Sequence, residues 1–395
     1  MTGISIKDLP PPDPGALEHS ERLCLKIEKK IENAGGNIGF DEFMKTALFE
    51  PGLGYYSAGA EKIGKGGDFI TAPEISNLFS QCLARQLAQV LEDLPGNAIL
   101  EIGPGTGAMA VGLLRELECL GALPDKYLLL ETSADLRERQ QQCLRVELPH
   151  LYDRLTWLDT LPESPLTGVI IGNEVLDVLP VCRLIYVGEE FNELVVGYKN
   201  NKFIWRQQSL TGTKQELARK HISGSSTHYP EGYTTEINTS LETWLHSVAD
   251  TLLQGIILFI DYGYPRQEYY HPQRVEGTLL CHYRHFAHSD PFFLPGLQDI
   301  TASVDFTAVA EAAVNAGLQV QGYTTQAHFL IDCGIAEILQ ENDQDGVTGQ
   351  LEKAHQAKLL TLPGEMGERF KVIALGRDIS FPLMGFRQFD QRQRL

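Results

Sequence analysis

The chain has 395 residues, 43% apolar and 22% charged, which is ordinary globular usage and excludes a disordered or fibrous chain. Acids outnumber bases 52 to 33, for a formal net charge of −19. The broad basic footprint that sequence-independent phosphate binding requires is missing, so no nucleic-acid partner is expected. Seven cysteines, an odd number with no C-x-x-C pair, fit neither a disulfide framework nor a zinc ribbon.

The first twenty residues carry acids and no apolar h-region, unlike a secretory signal or an Arg-rich transit peptide. A cytoplasmic protein is the expectation from that stretch. The longest apolar run, Gly255 to Ile260, is far too short to span a bilayer, so no membrane span is expected. Residues 1–19 read as a loose, Pro-rich arm. Helical spacing of Leu23, Ile27 and Ile31 predicts a helix over 20–34, and a second is expected over 40–49. A glycine-rich loop, 64–73, then leads into a helix that starts at Pro73 and runs to about residue 91.

After residue 95 the pattern changes to short apolar runs alternating with helical segments. Strands are expected at 98–102, 127–131, 155–158, 169–172, 256–261, 318–323 and 370–375, with helices at 107–120, from 134, and at 306–316. Such alternation argues for an α/β, doubly wound, largely parallel sheet, with ligands at the carboxyl ends of its strands. Three intervals break it. Residues 180–235 alternate with short turns and read as an antiparallel insertion, whose edges could pair a homodimer. Residues 264–300 have little periodicity and read as a long functional loop or cap. Residues 326–368 read as mostly helical. The domain plan is therefore an arm (1–19), a helical segment with a lid loop (20–95), a core with insertions (96–376) and a tail (377–395).

The strongest local signal is Glu101-Ile-Gly103-Pro-Gly105-Thr-Gly107, placed between a strand and a helix. Glycines there let the backbone approach a ligand, and the helix beyond presents free N–H groups. Gly103-x-Gly105-x-x-Ala108 also satisfies the dinucleotide pattern. Glu101 argues against a pyrophosphate, since like charges repel, and suits the ammonium and sulfonium of S-adenosyl-L-methionine. Glu131, at the end of the second strand, is placed to accept ribose hydroxyls and would serve either cofactor.

Several longer stretches carry a family resemblance: Gly67-Asp-Phe-Ile-Thr-Ala-Pro-Glu-Ile-Ser76, the Glu101–Gly107 turn, Gly172-Asn-Glu-Val-Leu-Asp-Val-Leu-Pro-Val181, Asp261-Tyr-Gly-Tyr264, Gly277-Thr-Leu279, Asp299-Ile-Thr301 and Val304-Asp-Phe306. In this order they resemble the MidA-like family of S-adenosylmethionine-dependent methyltransferases, over about residues 20–376. The resemblance implies a seven-stranded, Rossmann-like class I methyltransferase core with N-terminal helices and inserted antiparallel and helical segments. Its mitochondrial members are similar to protein arginine methyltransferases that assist assembly of respiratory complex I. An arginine-bearing protein substrate is therefore implied. A small-molecule methyltransferase, or a non-catalytic assembly protein on the same fold, stays open.

Methyl transfer to a guanidinium needs carboxylates that grip its N–H groups and hold its charge away from the reacting nitrogen. Asn173, Glu174 and Asp177 follow the fourth strand, where Glu174 and Asp177 are expected to make that grip and Asn173 to touch the cofactor; the alternative for the two acids is a helix cap. Asp68 and Thr71, with Pro73, are expected in a lid over the cofactor. Asp261 is expected to end the fifth strand and touch substrate. Cys281, His282, His285 and His288 resemble a zinc cluster at first sight, but a single short loop rarely supplies four ligands. No metal is expected there, and His285 is the histidine placed in the substrate site. No G-x-S-x-G elbow, Walker loop or H-E-x-x-H occurs, so hydrolase and NTPase readings lack their chemistry.

Overall fold

A computed structural model describes residues 9–58, 71–222, 228–341 and 346–395. Its contacts divide the chain into two compact units built from separated segments: residues 1–69, 177–241 and 266–308 in one, and 70–176, 242–265 and 309–395 in the other. The consecutive domains expected from the sequence are therefore not the folding units. Amphipathic N-terminal helices must bury an apolar face, and in their own unit the inserted segments provide the cover.

The second unit holds the parallel sheet. Its strands are β1 (Ala98–Ile102), β2 (Lys126–Leu130), β3 (Leu155–Leu158), β4 (Leu166–Asn173), β5 (Leu252–Tyr264), β6 (Gln319–Thr325) and β7 (Phe370–Arg377). Their order is β3-β2-β1-β4-β5-β7-β6. The first five are parallel, and β7 runs antiparallel to both its neighbours. This is the seven-stranded core the resemblance implies. Ile99, Leu100, Val169, Ile170, Ile171, Ile256, Ile257, Leu258 and Phe259 have no exposed surface. Burial on both faces explains why these strands read as continuous apolar runs. The strand order reverses between β1 and β4, and open α/β sheets bind ligands at such a switch point. The helix expected from Pro73 is two helices, Ala72–Ile75 and Asn77–Glu92. Ser76 interrupts them in extended backbone, and its hydroxyl accepts from the Leu78 N–H at 3.2 Å.

In the first unit the leading helix runs Pro14–Asn33, so it starts inside the expected loose arm. Asp13 accounts for that: its carboxylate accepts from the Ala16 N–H at 2.9 Å, and Pro14 suits the first helical turn. Leu23, Ile27 and Ile31 pack with Phe40, Phe43 and Met44 of the helix Phe40–Phe49. An antiparallel sheet joins Asn37–Gly39, Cys182–Val187, Glu190–Lys199, Lys202–Ser209 and Thr234–Ile237. The expected long loop at 264–300 contains a three-stranded sheet of Leu280–Tyr283, Phe286–His288 and Asp299–Thr301. Strands of three or four residues are too short to show a period. Buried Glu236 explains the Gly277-Thr-Leu279 motif: its carboxylate accepts from the Thr278 N–H at 2.7 Å and hydroxyl at 3.0 Å.

Candidate active site

The carboxyl end of β1 and the glycine turn form a cradle in the parallel-sheet unit. Gly103, Gly105 and Gly107 have φ of +65°, +58° and +86°, backbone that a side chain disfavours. A Cβ on Gly103 would come within 3.0 Å of a Val175 methyl. Gly107 caps the helix Ala108–Cys119. The Thr106 hydroxyl hydrogen-bonds the Glu74 carboxylate, tying the turn to the helix that begins at Ala72. Glu101 is completely buried. One carboxylate oxygen accepts from the Tyr127 hydroxyl at 2.6 Å. The other, Oε1, has no hydrogen-bond partner among the described residues. Burial lifts this carboxyl to about 7; Tyr127 opposes the rise and Glu131 adds to it. An orphaned buried carboxylate oxygen beside a glycine cradle fits a ligand that is cationic there.

Glu131 follows β2 and is 7% exposed. Its Oε1 accepts from the Ser133 N–H at 2.7 Å and its Oε2 from the Gln140 amide at 3.0 Å. Burial raises its pKa, and these two donors oppose the rise. Gln140 also donates to the Gly105 carbonyl at 2.8 Å, and its own oxygen accepts from the Trp157 indole at 3.0 Å. Arg137 donates to the carbonyls of Glu131 and Leu158, at 2.8 and 3.0 Å.

Beyond β4, Glu174 has a φ of +54°, left-handed backbone that is uncommon for a residue with a side chain. The surroundings determine that conformation. The Glu174 N–H donates to the Ile260 carbonyl at 2.9 Å, and the Leu176 N–H to Asp261 Oδ2 at 2.8 Å. Val175 fills the space beside Gly103 and Gly172 that a Cβ on either would need. Asn173 donates to Glu174 Oε1 at 3.1 Å. Strained residues held this way cluster at functional sites. Residues 174–180 form turns and bends, so Glu174 caps no helix.

Contrary to the expectation from the sequence, the fifth strand does not end at Asp261. β5 continues past Asp261 to Tyr264, and Asp261 has no exposed surface. Its second oxygen accepts from the Tyr262 N–H at 2.9 Å. It braces the Glu174 loop. His285 is exposed, in the hairpin turn between Leu280–Tyr283 and Phe286–His288. A two-residue turn needs left-handed backbone, and Arg284 and His285 have φ of +47° and +67°. The turn accounts for its backbone conformation.

Asp68 lies outside the described residues. Thr71 is the residue before the Ala72–Ile75 helix, but its side chain makes no cap hydrogen bond, and Pro73 sits in the first turn. Asp177 is 4% exposed and belongs to the other unit, where its carbonyl accepts from the Ala302 N–H at 3.0 Å. Among the described residues one group, Asp41, Cys182 and Glu193, brings metal-type donor atoms within 4.8 Å of one another. The Lys214 ammonium lies 2.6 Å from Glu193 and 3.4 Å from Asp41, supplying the positive charge there.

Sequence reasoning missed Gln140, Trp157, Tyr127 and Glu74. Gln140 had a readable signal: it stands four residues after Leu136 and four before Leu144, a polar residue on the buried stripe of its helix.

Residues 82–324, more than half of the chain, match the family profile Methyltransf_28, described as S-adenosyl-L-methionine-dependent methyltransferase. The chain belongs to that family. It is an S-adenosyl-L-methionine-dependent methyltransferase, and the resemblance carried by its motifs is borne out. Its fold is similar to that of a COG1565 superfamily member from Burkholderia thailandensis crystallised with S-adenosyl-homocysteine: TM-score 0.94, 43% identity, covering 98% of this chain and 100% of that one. It is also similar to "Protein arginine methyltransferase NDUFAF7, mitochondrial" of Danio rerio, 26% identical over 87% of this chain and 84% of that protein. The Homo sapiens protein of the same name is 26% identical over 88% of this chain and 81% of its own length. The cytoplasmic expectation is corrected here, because these relatives are named mitochondrial. The composition of an N-terminal stretch does not fix a compartment. No helix among the described residues is long and apolar enough to cross a membrane.

Proposed function

We propose that this methyltransferase transfers methyl groups to arginine side chains of a protein. The observation that carries the reading is Glu174, a carboxylate held in strained backbone at the carboxyl end of β4, next to the glycine cradle. The names of the curated relatives support the arginine acceptor.

Bound S-adenosyl-L-methionine supplies an electrophilic methyl on a cationic sulfonium. The remaining work belongs to residues of the chain. Glu101 Oε1 accepts from the cofactor's ammonium, and Glu131 accepts from its ribose hydroxyls. Gly103, Gly105 and Gly107 admit it to the backbone, and Thr71 and Pro73 border it. Asn173 orients Glu174 through the 3.1 Å hydrogen bond. Glu174 accepts N–H bonds from the guanidinium. That grip concentrates positive charge on the gripped nitrogens and leaves the third with electron density for attack. The nitrogen sheds one proton on methylation, and the Glu174 carboxylate is the group placed to take it. The net charge of −19 suits a cationic acceptor.

Methyl-labelled cofactor incubated with the protein and a whole-cell protein extract, followed by acid hydrolysis and amino-acid analysis, tests the acceptor. The label is expected in methylated arginine. Label confined to lysine, to carboxyl groups or to small molecules would overturn the assignment.

A further inference from the structure

We propose that Gln140 is a positioning residue that aims the Glu131 carboxylate at the cofactor ribose and locks it to the glycine turn, with Trp157 setting the direction of its amide. The inference rests on the reading of Glu131 as the ribose acceptor. Gln140 is fully buried on the helix Ala134–Glu147, and it belongs to neither the cofactor motif nor the acceptor motif.

The direction of the amide follows from donor and acceptor chemistry. The indole of Trp157 can only donate, so the Gln140 atom 3.0 Å from it must be the amide oxygen. The NH₂ group is thereby turned the other way, and its two hydrogens match two acceptors, the Gly105 carbonyl at 2.8 Å and Glu131 Oε2 at 3.0 Å. Every hydrogen-bonding atom of this buried side chain has a partner. Ser133 pins the other Glu131 oxygen at 2.7 Å. Each carboxylate oxygen therefore has a donor fixing it, with the Thr132 N–H as a third donor to the group, and lone-pair capacity is left for a ribose hydroxyl. The Gly105 bond fixes the turn as well: in a planar trans peptide the Thr106 N–H points opposite to the Gly105 carbonyl. One side chain thus couples the acid after β2 to the turn after β1, and the indole on β3 orients it. Without Gln140 the carboxylate rotates more freely, and ribose recognition loses its preorganisation.

Calorimetry on the intact protein, with S-adenosylhomocysteine and its analogue lacking both ribose hydroxyls, separates this role from a structural one. The wild type is expected to prefer the hydroxylated ligand by about tenfold or more, as charge-assisted hydrogen bonds imply. Gln140→Met is expected to shrink that preference to about threefold or less, with affinity for the analogue kept within about twofold. Trp157→Phe keeps Gln140 but frees its amide to turn, and is expected to shift the preference the same way; it carries the test if Gln140→Met does not fold. Variants that weaken both ligands equally, leaving the preference intact, would show a structural role and overturn the proposal. A wild type with no preference for the ribose hydroxyls would overturn the reading of Glu131, and this inference with it.

Discussion

Replacing Glu101 by Gln is expected to make the ligand-free protein more stable while weakening its hold on the cofactor. Burial lifts the Glu101 carboxyl from 4.5 to about 7. Below pH 4.5 it is protonated whether the chain is folded or not. Between 4.5 and 7 the folded protein retains a proton that the unfolded chain has released, so stability falls as pH rises. Above 7 the ionised carboxylate carries its full desolvation cost. At about 1.4 kcal/mol per pKa unit that cost is roughly 3 kcal/mol. Glutamine removes the charge and keeps a carbonyl oxygen for the Tyr127 hydroxyl. With an unfolding entropy of about 2.1 cal/mol/K per residue, the gain at pH 8 is a rise of roughly 4 °C in the melting midpoint. The gain shrinks toward pH 5. The same substitution removes the charge that faces the cofactor's ammonium, so affinity for S-adenosyl-L-methionine at pH 8 falls by roughly ten- to a hundredfold. Thermal unfolding at both pH values, with calorimetric titration at pH 8, reads both effects. A variant no more stable than wild type at pH 8, or one that binds the cofactor as well, refutes the reasoning.

Three further outcomes follow from the same geometry. Tyr127→Phe removes a donor that opposes the rise in the Glu101 pKa; cofactor affinity, which strengthens in wild type as pH rises through about 7, is expected to need a higher pH, and an unmoved titration midpoint would contradict this. Gly105→Val forces a β-branched side chain into a φ of +58°, costs about 1–3 kcal/mol of stability and is expected to abolish cofactor binding; calorimetry checks it. Asp261→Ala leaves the buried Leu176 N–H and the half-buried Tyr262 N–H without this acceptor, costs about 1–3 kcal/mol for the buried one and relaxes the Glu174 loop; turnover is expected to fall more than cofactor affinity, and equal loss of both would contradict the bracing role.

The cofactor cradle was legible because it is local: Glu101, the three glycines and Glu131 sit on consecutive strand ends, where pattern and chain order coincide. The sheet was legible for a related reason, since doubly buried parallel strands read as apolar runs. What escaped depends on distant partners. Asp261 and the backbone of residue 176 meet only because β4 and β5 are neighbours, so the brace has no sequence signal. The left-handed backbone of Glu174 has no sequence signal, because glutamate rarely adopts it. His285 drew attention for its residue type, yet a two-residue turn decides its exposure. The signal at Asp13-Pro14 was a readable helix start, obscured by the prolines before it. Gln140 stood among other polar residues, and only its register with Leu136 and Leu144 marks it as buried.

The most direct test of the account is the initial rate of labelled-methyl transfer to protein by Glu174→Gln at saturating S-adenosyl-L-methionine. A fall of roughly a hundredfold or more is expected, the range for loss of one preorganised electrostatic group, with cofactor affinity unchanged. A rate equal to wild type would contradict it, because a carboxylate that can be neutralised without consequence does not hold the acceptor.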